Sequence, residues 1–241
     1  MGTSDYRDSA LSESAPAAEI LGLSGQPSTF MPVQNLWCIG RNYVEHVREL
    51  DNVMPTTEPV IFLKSSSSVK SLSGKTALAF PGETFHHEIE MVVLVGAYTP
   101  LGSLQEGNEM SRVHAVGLGL DLTRRGKQSE LKKQGLPWTL AKSFAGAAVL
   151  SPFTVVTEEL NLADVSFALE VNGELRQSGH VSQMIFDLPF QLRYINGFVP
   201  LLPGGDIIFT GTPEGVGPAR CGDQVRMCYL SPPSLEKVAF D

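Results

Sequence analysis

The sequence predicts an α+β fold that is mainly β. Three observations carry this: short β-rich runs dominate, most are bounded by Gly, Pro, Asn or Asp, and the few helical stretches do not alternate regularly with strands as a doubly wound α/β sheet requires. In chain order the runs are Pro59 to Leu63, Glu88 to Val95, Val113 to Leu120, Ser166 to Val171 and Asp206 to Thr210. Between strands, Val171-Asn172-Gly173-Glu174 carries the Asn-Gly pair that suits a type I′ hairpin turn. Helical spacing occurs over Asn42 to Leu50, over the polar Ser129 to Gln134, and over His180 to Asn196. Pro189 lies inside the last of these and predicts a kink or break, because it lacks an N–H and its ring crowds the preceding turn.

Residues 1–30 are rich in Ser, Ala and Pro with Arg7 as the one strong base, which fits neither a secretory signal nor an Arg-rich transit peptide. They are expected to form a flexible extension before a single domain over 31–241, where composition is even and no period repeats. With 42% hydrophobic residues in 241 and a mean hydropathy of +0.02, the chain can bury a sizeable core. A net charge of −8 and scattered Lys and Arg exclude a phosphate-tracking surface, so no nucleic acid partner is expected. The longest apolar stretch, Met91 to Tyr98, is far short of the roughly 20 residues that span a bilayer, so no membrane partner is expected either. Cys38, Cys221 and Cys228 form no C-x-x-C pair and leave one unpaired, which points to the cytoplasm rather than to a disulfide framework.

Common signatures fail on their offsets. Gly74-Lys75-Thr76 has the tail of a phosphate-binding loop, but Val69 stands where its first glycine belongs. Leu122 and Arg220 occupy the third-glycine places after Gly117-Leu118-Gly119 and Gly215-Val216-Gly217, which removes a dinucleotide fingerprint. Neither G-x-S-x-G nor H-E-x-x-H is present.

What remains is a set of carboxylates. In Phe85-His86-His87-Glu88-Ile89-Glu90-Met91, strand geometry puts Glu88 and Glu90 on one face, where two neighbouring anions entering an apolar run call for a compensating cation. A hard divalent ion suits such oxygen ligands. Solvated glutamates on an edge strand are the commoner alternative. Asp121 ends the run Val116-Gly117-Leu118-Gly119-Leu120 and can bring a third carboxylate, although spacing alone does not show that it meets the other two.

Five segments in this order resemble the fumarylacetoacetate hydrolase family, in its compact branch of acylpyruvate hydrolases and oxaloacetate decarboxylases. They are Ile39-Gly40-Arg41-Asn42-Tyr43 with His46 and Glu49, Phe62-Leu63-Lys64, His87-Glu88-Ile89-Glu90, Asp121-Leu122-Thr123 with Arg125 and Gln128, and Thr210-Gly211-Thr212-Pro213-Glu214-Gly215-Val216-Gly217. The block from Leu136 to Phe144 is also family-like, and the similarity runs from about Met31 to the C-terminus. Two departures adjoin the pocket: Gly126 stands where many relatives carry Asp, and Ser65 where Pro is frequent.

The resemblance implies a roll of mixed β-sheets, assembled as a homodimer. It implies that Glu88, Glu90 and Asp121 hold Mg²⁺ or Mn²⁺, with Ca²⁺ able to take their place in crystals, and that a small 2-oxo acid chelates the ion and reacts through a metal-bound enolate. His46 and Glu49, three residues apart on one helical face, would serve as a base and its orienter on a lid; alone, they also suit a solvated helix. Arg125, Gln128 and Lys142 match positions that hold the substrate or its developing charge, and Thr212 would add a hydroxyl or N–H from its glycine-rich loop. The first expectation is hydrolysis of a C–C bond in an acylpyruvate-like 2,4-dioxo acid. Oxaloacetate decarboxylation or tautomerisation, isomerisation of an unsaturated 2-hydroxy-diene-dioate, and a catalytically silent 2-oxo acid binder are the rivals.

Overall fold

The consecutive apolar residues from Met91 to Val95 must be buried on both faces. In the computed structural model, which describes residues 16–21, 28–50, 54–55, 57–72, 83–236 and 239–240, they lie near the middle of the largest sheet. The Gly74-Lys75-Thr76 segment lies outside the described residues. In chain order the strands are β1 (Ala17–Ile20), β2 (Thr29–Pro32), β3 (Leu36–Gly40), β4 (Val60–Lys64), β5 (Val69–Ser71), β6 (Phe85–His87), β7 (Ile89–Val95), β8 (Val113–Asp121) and β9 (Thr123–Arg124). They continue with β10 (Ala148–Leu150), β11 (Thr154–Val155), β12 (Ser166–Val171), β13 (Glu174–His180), β14 (Ile207–Phe209), β15 (Gly217–Ala219), β16 (Val225–Ser231) and β17 (Ala239–Phe240). The α-helices are α1 (Val44–Glu49), α2 (Arg125–Lys133), α3 (Thr139–Lys142), α4 (Leu188–Asn196) and α5 (Pro233–Glu236).

The architecture is mainly β with few helices, as expected. The main sheet runs β4-β3-β14-β7-β8-β10-β5 with β11 added beside β8; β14 with β3 and β10 with β5 are parallel and the other pairs antiparallel, so the sheet is mixed. A second sheet, β13-β12-β16-β17, covers one of its faces. Period-2 alternation divides β7 between two cores. Ile89, Met91, Val93 and Val95 pack with Phe167, Leu169, Met227 and the α4 residues Leu192 and Ile195, whereas Val92 and Leu94 pack with Leu36, Cys38, Phe153 and Phe209 on the other side. The Asn172-Gly173 turn joins β12 to β13, with φ of 55° and 77° at its central residues as a type I′ turn demands.

Three expectations are corrected. Ala17–Ile20, placed in a flexible extension over 1–30, is a strand paired antiparallel with β2; Ala18 and Ile20 are buried, and Phe153 N–H donates to Glu19 O at 2.7 Å. Its alternation is brief enough to be hidden by the Ser- and Pro-rich composition around it. The stretch from His180 to Asn196 is interrupted as expected, but ahead of Pro189 rather than at it: a 3-10 turn at Val181–Gln183 precedes, and α4 begins at Leu188 with Asp187 as its cap, so Pro189 sits in a first turn where no intrahelical N–H is required. The helix expected from Ser129 starts at Arg125, because Gln128 and Leu131 supply its buried face. Among the described residues no helix is long and apolar enough to cross a membrane.

Candidate active site

The carboxylates are assembled by strand pairing. β6 and β7 are interrupted at Glu88, where the chain passes from the small sheet β15-β6-β9 into the main sheet. Glu88 O accepts from Asp121 N–H at 2.9 Å and Glu90 stands opposite Gly119, so the β7–β8 register brings the end of β8 level with the start of β7. Ligand oxygens of Glu88, Glu90 and Asp121 consequently lie within 4.8 Å of one another, and all three residues are buried. Since β7 is flanked by β14 and β8, the solvated edge-strand alternative does not hold.

Cations surround two of the three. Lys142, at the end of α3, places Nζ 2.7 Å from Glu88 Oε2 and 2.6 Å from Asp121 Oδ2. Lys64, on β4, lies 2.7 Å from Asp121 Oδ1 and donates to the carbonyls of Leu122, Lys142 and Ala147. Arg125 pairs with Glu88, whose Oε1 also accepts from Thr123 Oγ1 at 3.1 Å. Burial works against ionisation of Glu88, but Lys142 and Arg125 outweigh it and hold the carboxyl well below its usual range. Lys142 is likewise opposed by burial, yet Asp121 and Glu88 keep its ammonium charged. Glu90 differs. Its Oε2 accepts the Gly211 N–H at 2.6 Å, and burial together with Asp121 pushes its carboxyl well above the ordinary value. Three converging buried carboxylates, one of them short of positive charge, fit a hard divalent cation.

His46 and Glu49 approach from α1. His46 is buried, and its Nδ1 is 3.4 Å from Glu49 Oε2. A carboxylate only accepts, so Nδ1 carries the proton and Nε2 keeps its lone pair. Burial lowers the His46 pKa below its ordinary 6.5 despite the opposing pull of Glu88 and Glu49. Glu49 is itself held by the Gly215 N–H at 3.1 and 3.3 Å. That loop position demands glycine: φ is +90° and a Cβ would lie 2.1 Å from Arg176 O. Asn42, ahead of α1, anchors the segment by donating to Thr210 O at 2.7 Å and Phe186 O at 3.0 Å and accepting from Phe186 N–H.

A cavity of about 30 Å³ is lined by His46, Glu88, Glu90, Asp121, Arg125, Gln128, Lys142 and Thr212. Eight of the nine residues singled out in the sequence thus meet at one cavity, and the ninth, Glu49, reaches it through His46. Arg125 is less free than expected. It donates to His86 Nδ1 at 3.3 Å, to Gln128 Oε1 at 2.6 Å and to Glu88, so it braces the carboxylates and turns the Gln128 amide N–H₂ away from itself as a donor. Lys64, Thr123 and Gln177 also build the site, although sequence pattern alone gives none of them a role. Lys64 lies in a segment that carried the resemblance, but buried Gln177 shows no signal beyond its inward place on the alternating β13.

The sequence profile of the fumarylacetoacetate (FAA) hydrolase C-terminal domain matches residues 35–237. A mitochondrial oxaloacetate tautomerase of Bos taurus is 40% identical over 193 residues, covering 80% of this chain and 86% of the relative. An oxaloacetate tautomerase of Escherichia coli is 35% identical over 199 residues, covering 82% and 89%. The crystal structure of fumarylpyruvate hydrolase from Pseudomonas aeruginosa in complex with Mn²⁺ and pyruvate superposes with a TM-score of 0.80 at 28% identity, covering 92% of this chain and 94% of that one.

Proposed function

The chain belongs to the fumarylacetoacetate hydrolase family, and from that premise we propose that it is a divalent-metal-dependent enzyme that interconverts the keto and enol forms of an oxaloacetate-like 2-oxo dicarboxylate. The observation that carries this is the convergence of Glu88, Glu90 and Asp121 at one buried point beside a neutral His46. A divalent cation held by these carboxylates would act as a Lewis acid toward the 2-oxo group.

The protein's own groups supply the rest. Lys64, Lys142 and Arg125 balance the three carboxylates, so a bound divalent ion leaves two surplus positive charges, which suits a dicarboxylate better than a monoanion. Thr212 and the Gln128 amide N–H₂ hold the substrate carboxylate from the cavity wall. His46 Nε2 takes the proton from C3, and Glu49 keeps the ring in the required tautomer. The Lys142 ammonium stabilises the negative charge that develops on the C2 oxygen, which then takes a proton from a water molecule that is reprotonated by the His46 imidazolium, so that the base is regenerated. The cavity has room for only about two water molecules, so α1 or the side chains at its mouth must move to admit substrate.

A second reading keeps the same residues and has His46 activate water for C–C cleavage; the His46–Glu49 pair and the similarity to fumarylpyruvate hydrolase favour it. Metal-loaded protein offered oxaloacetate and a 2,4-dioxo acid distinguishes them. Tautomerisation changes the enol absorbance without cleavage, hydrolysis yields pyruvate and a second acid, and decarboxylation releases CO₂. Turnover of neither substrate above the metal-only background removes the enzymatic reading and leaves a 2-oxo acid binder.

A further inference from the structure

Gln177 is 1% exposed, lies outside the cavity lining, and connects β13 to the glycine-rich loop and to β7. Two backbone groups fix the orientation of its amide. Ile89 N–H, which can only donate, lies 3.0 Å from Oε1, and Pro213 C=O, which can only accept, lies 3.0 Å from Nε2. Two roles follow: His87 Nδ1, 3.0 Å from Oε1, must donate, and Thr212 Oγ1, 2.9 Å from Nε2, must accept. A hydroxyl that accepts from Gln177 still has its own proton to give. Thr212 lines the cavity, and no acceptor among the described residues takes that proton.

We propose that Gln177 is a positioning residue that fixes the Thr212 hydroxyl as a hydrogen-bond donor directed into the cavity, toward a carboxylate oxygen of the substrate. The inference rests on the reading of the cavity as a 2-oxo acid site. In Q177E the new side chain keeps its shape and can still accept from Ile89 N–H, but a carboxyl has at most one O–H where the amide has two N–H, and the Pro213 carbonyl, which can only accept, takes it. Nothing is left to donate to Thr212 Oγ1, so the Thr212 O–H turns to the carboxyl and away from the cavity. Q177M removes the fixing hydrogen bonds altogether.

The test is a double-mutant cycle on the Mg²⁺-loaded protein, with oxalate affinity measured by calorimetry and kcat and KM measured on oxaloacetate. T212V should weaken oxalate roughly tenfold, the loss of one hydrogen bond to a charged group. Q177E or Q177M should weaken it by a similar factor and raise KM with little change in kcat, because the contact is made in ground state and transition state alike. In the T212V background the Gln177 substitution should have no further effect. Equal losses in both backgrounds overturn the proposal, since Gln177 would then act only through the surrounding frame. Should neither Gln177 variant fold, the ¹⁵N-labelled Gln177 amide resonance decides: it should shift on oxalate addition in the unsubstituted protein and stay put in T212V, and any other result counts against the proposal. Absence of oxalate binding in the unsubstituted protein defeats the proposed function and this inference with it. Binding that T212V leaves intact defeats the inference alone.

Discussion

His46 joins burial to chemistry most directly. Burial depresses its pKa below 6.5 and leaves the imidazole neutral through the physiological range, which is the state a proton acceptor needs. The acid limb of kcat/KM for metal-loaded enzyme should therefore fall below pH 6.5. An acid limb at or above that value in a pH–rate profile would show that this ring is not the base. Stability carries the same sign: as pH falls below 6.5 the unfolded chain gains a proton that the folded chain resists, so the contribution is present above that pH and is lost as pH falls through the folded value. H46A should lower kcat by about 10² to 10⁴ while metal affinity survives. At this scale the sequence was partly legible. Period-2 spacing places Glu88 and Glu90 on one face, but nothing local says that the face is buried or that Asp121 reaches it, because both depend on which strands become neighbours. Gln177 is less legible still, lying among exposed Leu175, Arg176 and Ser178 with its partners 35 and 88 residues away.

At the scale of elements, the β7–β8 pair sets the carboxylate geometry, and Gly119 lets it close. A Cβ there would lie 2.7 Å from Phe209 Cε1 and 3.0 Å from Val92 Cγ1, and Gly119 stands directly opposite Glu90. G119A should thus cost about 1–3 kcal/mol by overpacking and also weaken Mn²⁺ binding, because relief of the clash moves the strands that carry the ligands. Urea unfolding and a Mn²⁺ titration check the two effects; unchanged metal affinity with lowered stability would show that the ligand geometry does not depend on this packing. Elements with their own strong pattern were readable from the sequence, and Ser166–Val171 forms the strand its alternation predicts. Others were governed by context. The division of β6 from β7 at Glu88 follows from a change of partner strands, α2 begins early because Gln128 and Leu131 pack inward, and β1 is too short to stand out from its surroundings.

Across the whole molecule, the site ties together parts of the chain that are distant in sequence: Lys64 on β4, Glu88 and Glu90 on either side of the start of β7, Asp121 on β8, Lys142 on α3 and the Gly211 loop. An ion bound only by the folded chain stabilises the entire fold, by about 2.7 kcal/mol at a hundredfold excess over its Kd. For a chain of this size that raises Tm by roughly 5–10 °C. Chelation should lower Tm by that amount and added Mg²⁺ or Mn²⁺ should restore it. Glu90 separates a ligand from a merely buried acid. Burial and the nearby Asp121 already favour its neutral form in the metal-free protein, and a glutamine carbonyl can accept the Gly211 N–H in its place. E90Q should therefore match or exceed the unsubstituted protein in Tm under chelation, yet gain little when Mg²⁺ or Mn²⁺ is added. If E90Q instead gains as much stability from the ion as the unsubstituted protein does, the cation binds elsewhere and the three carboxylates are not its site.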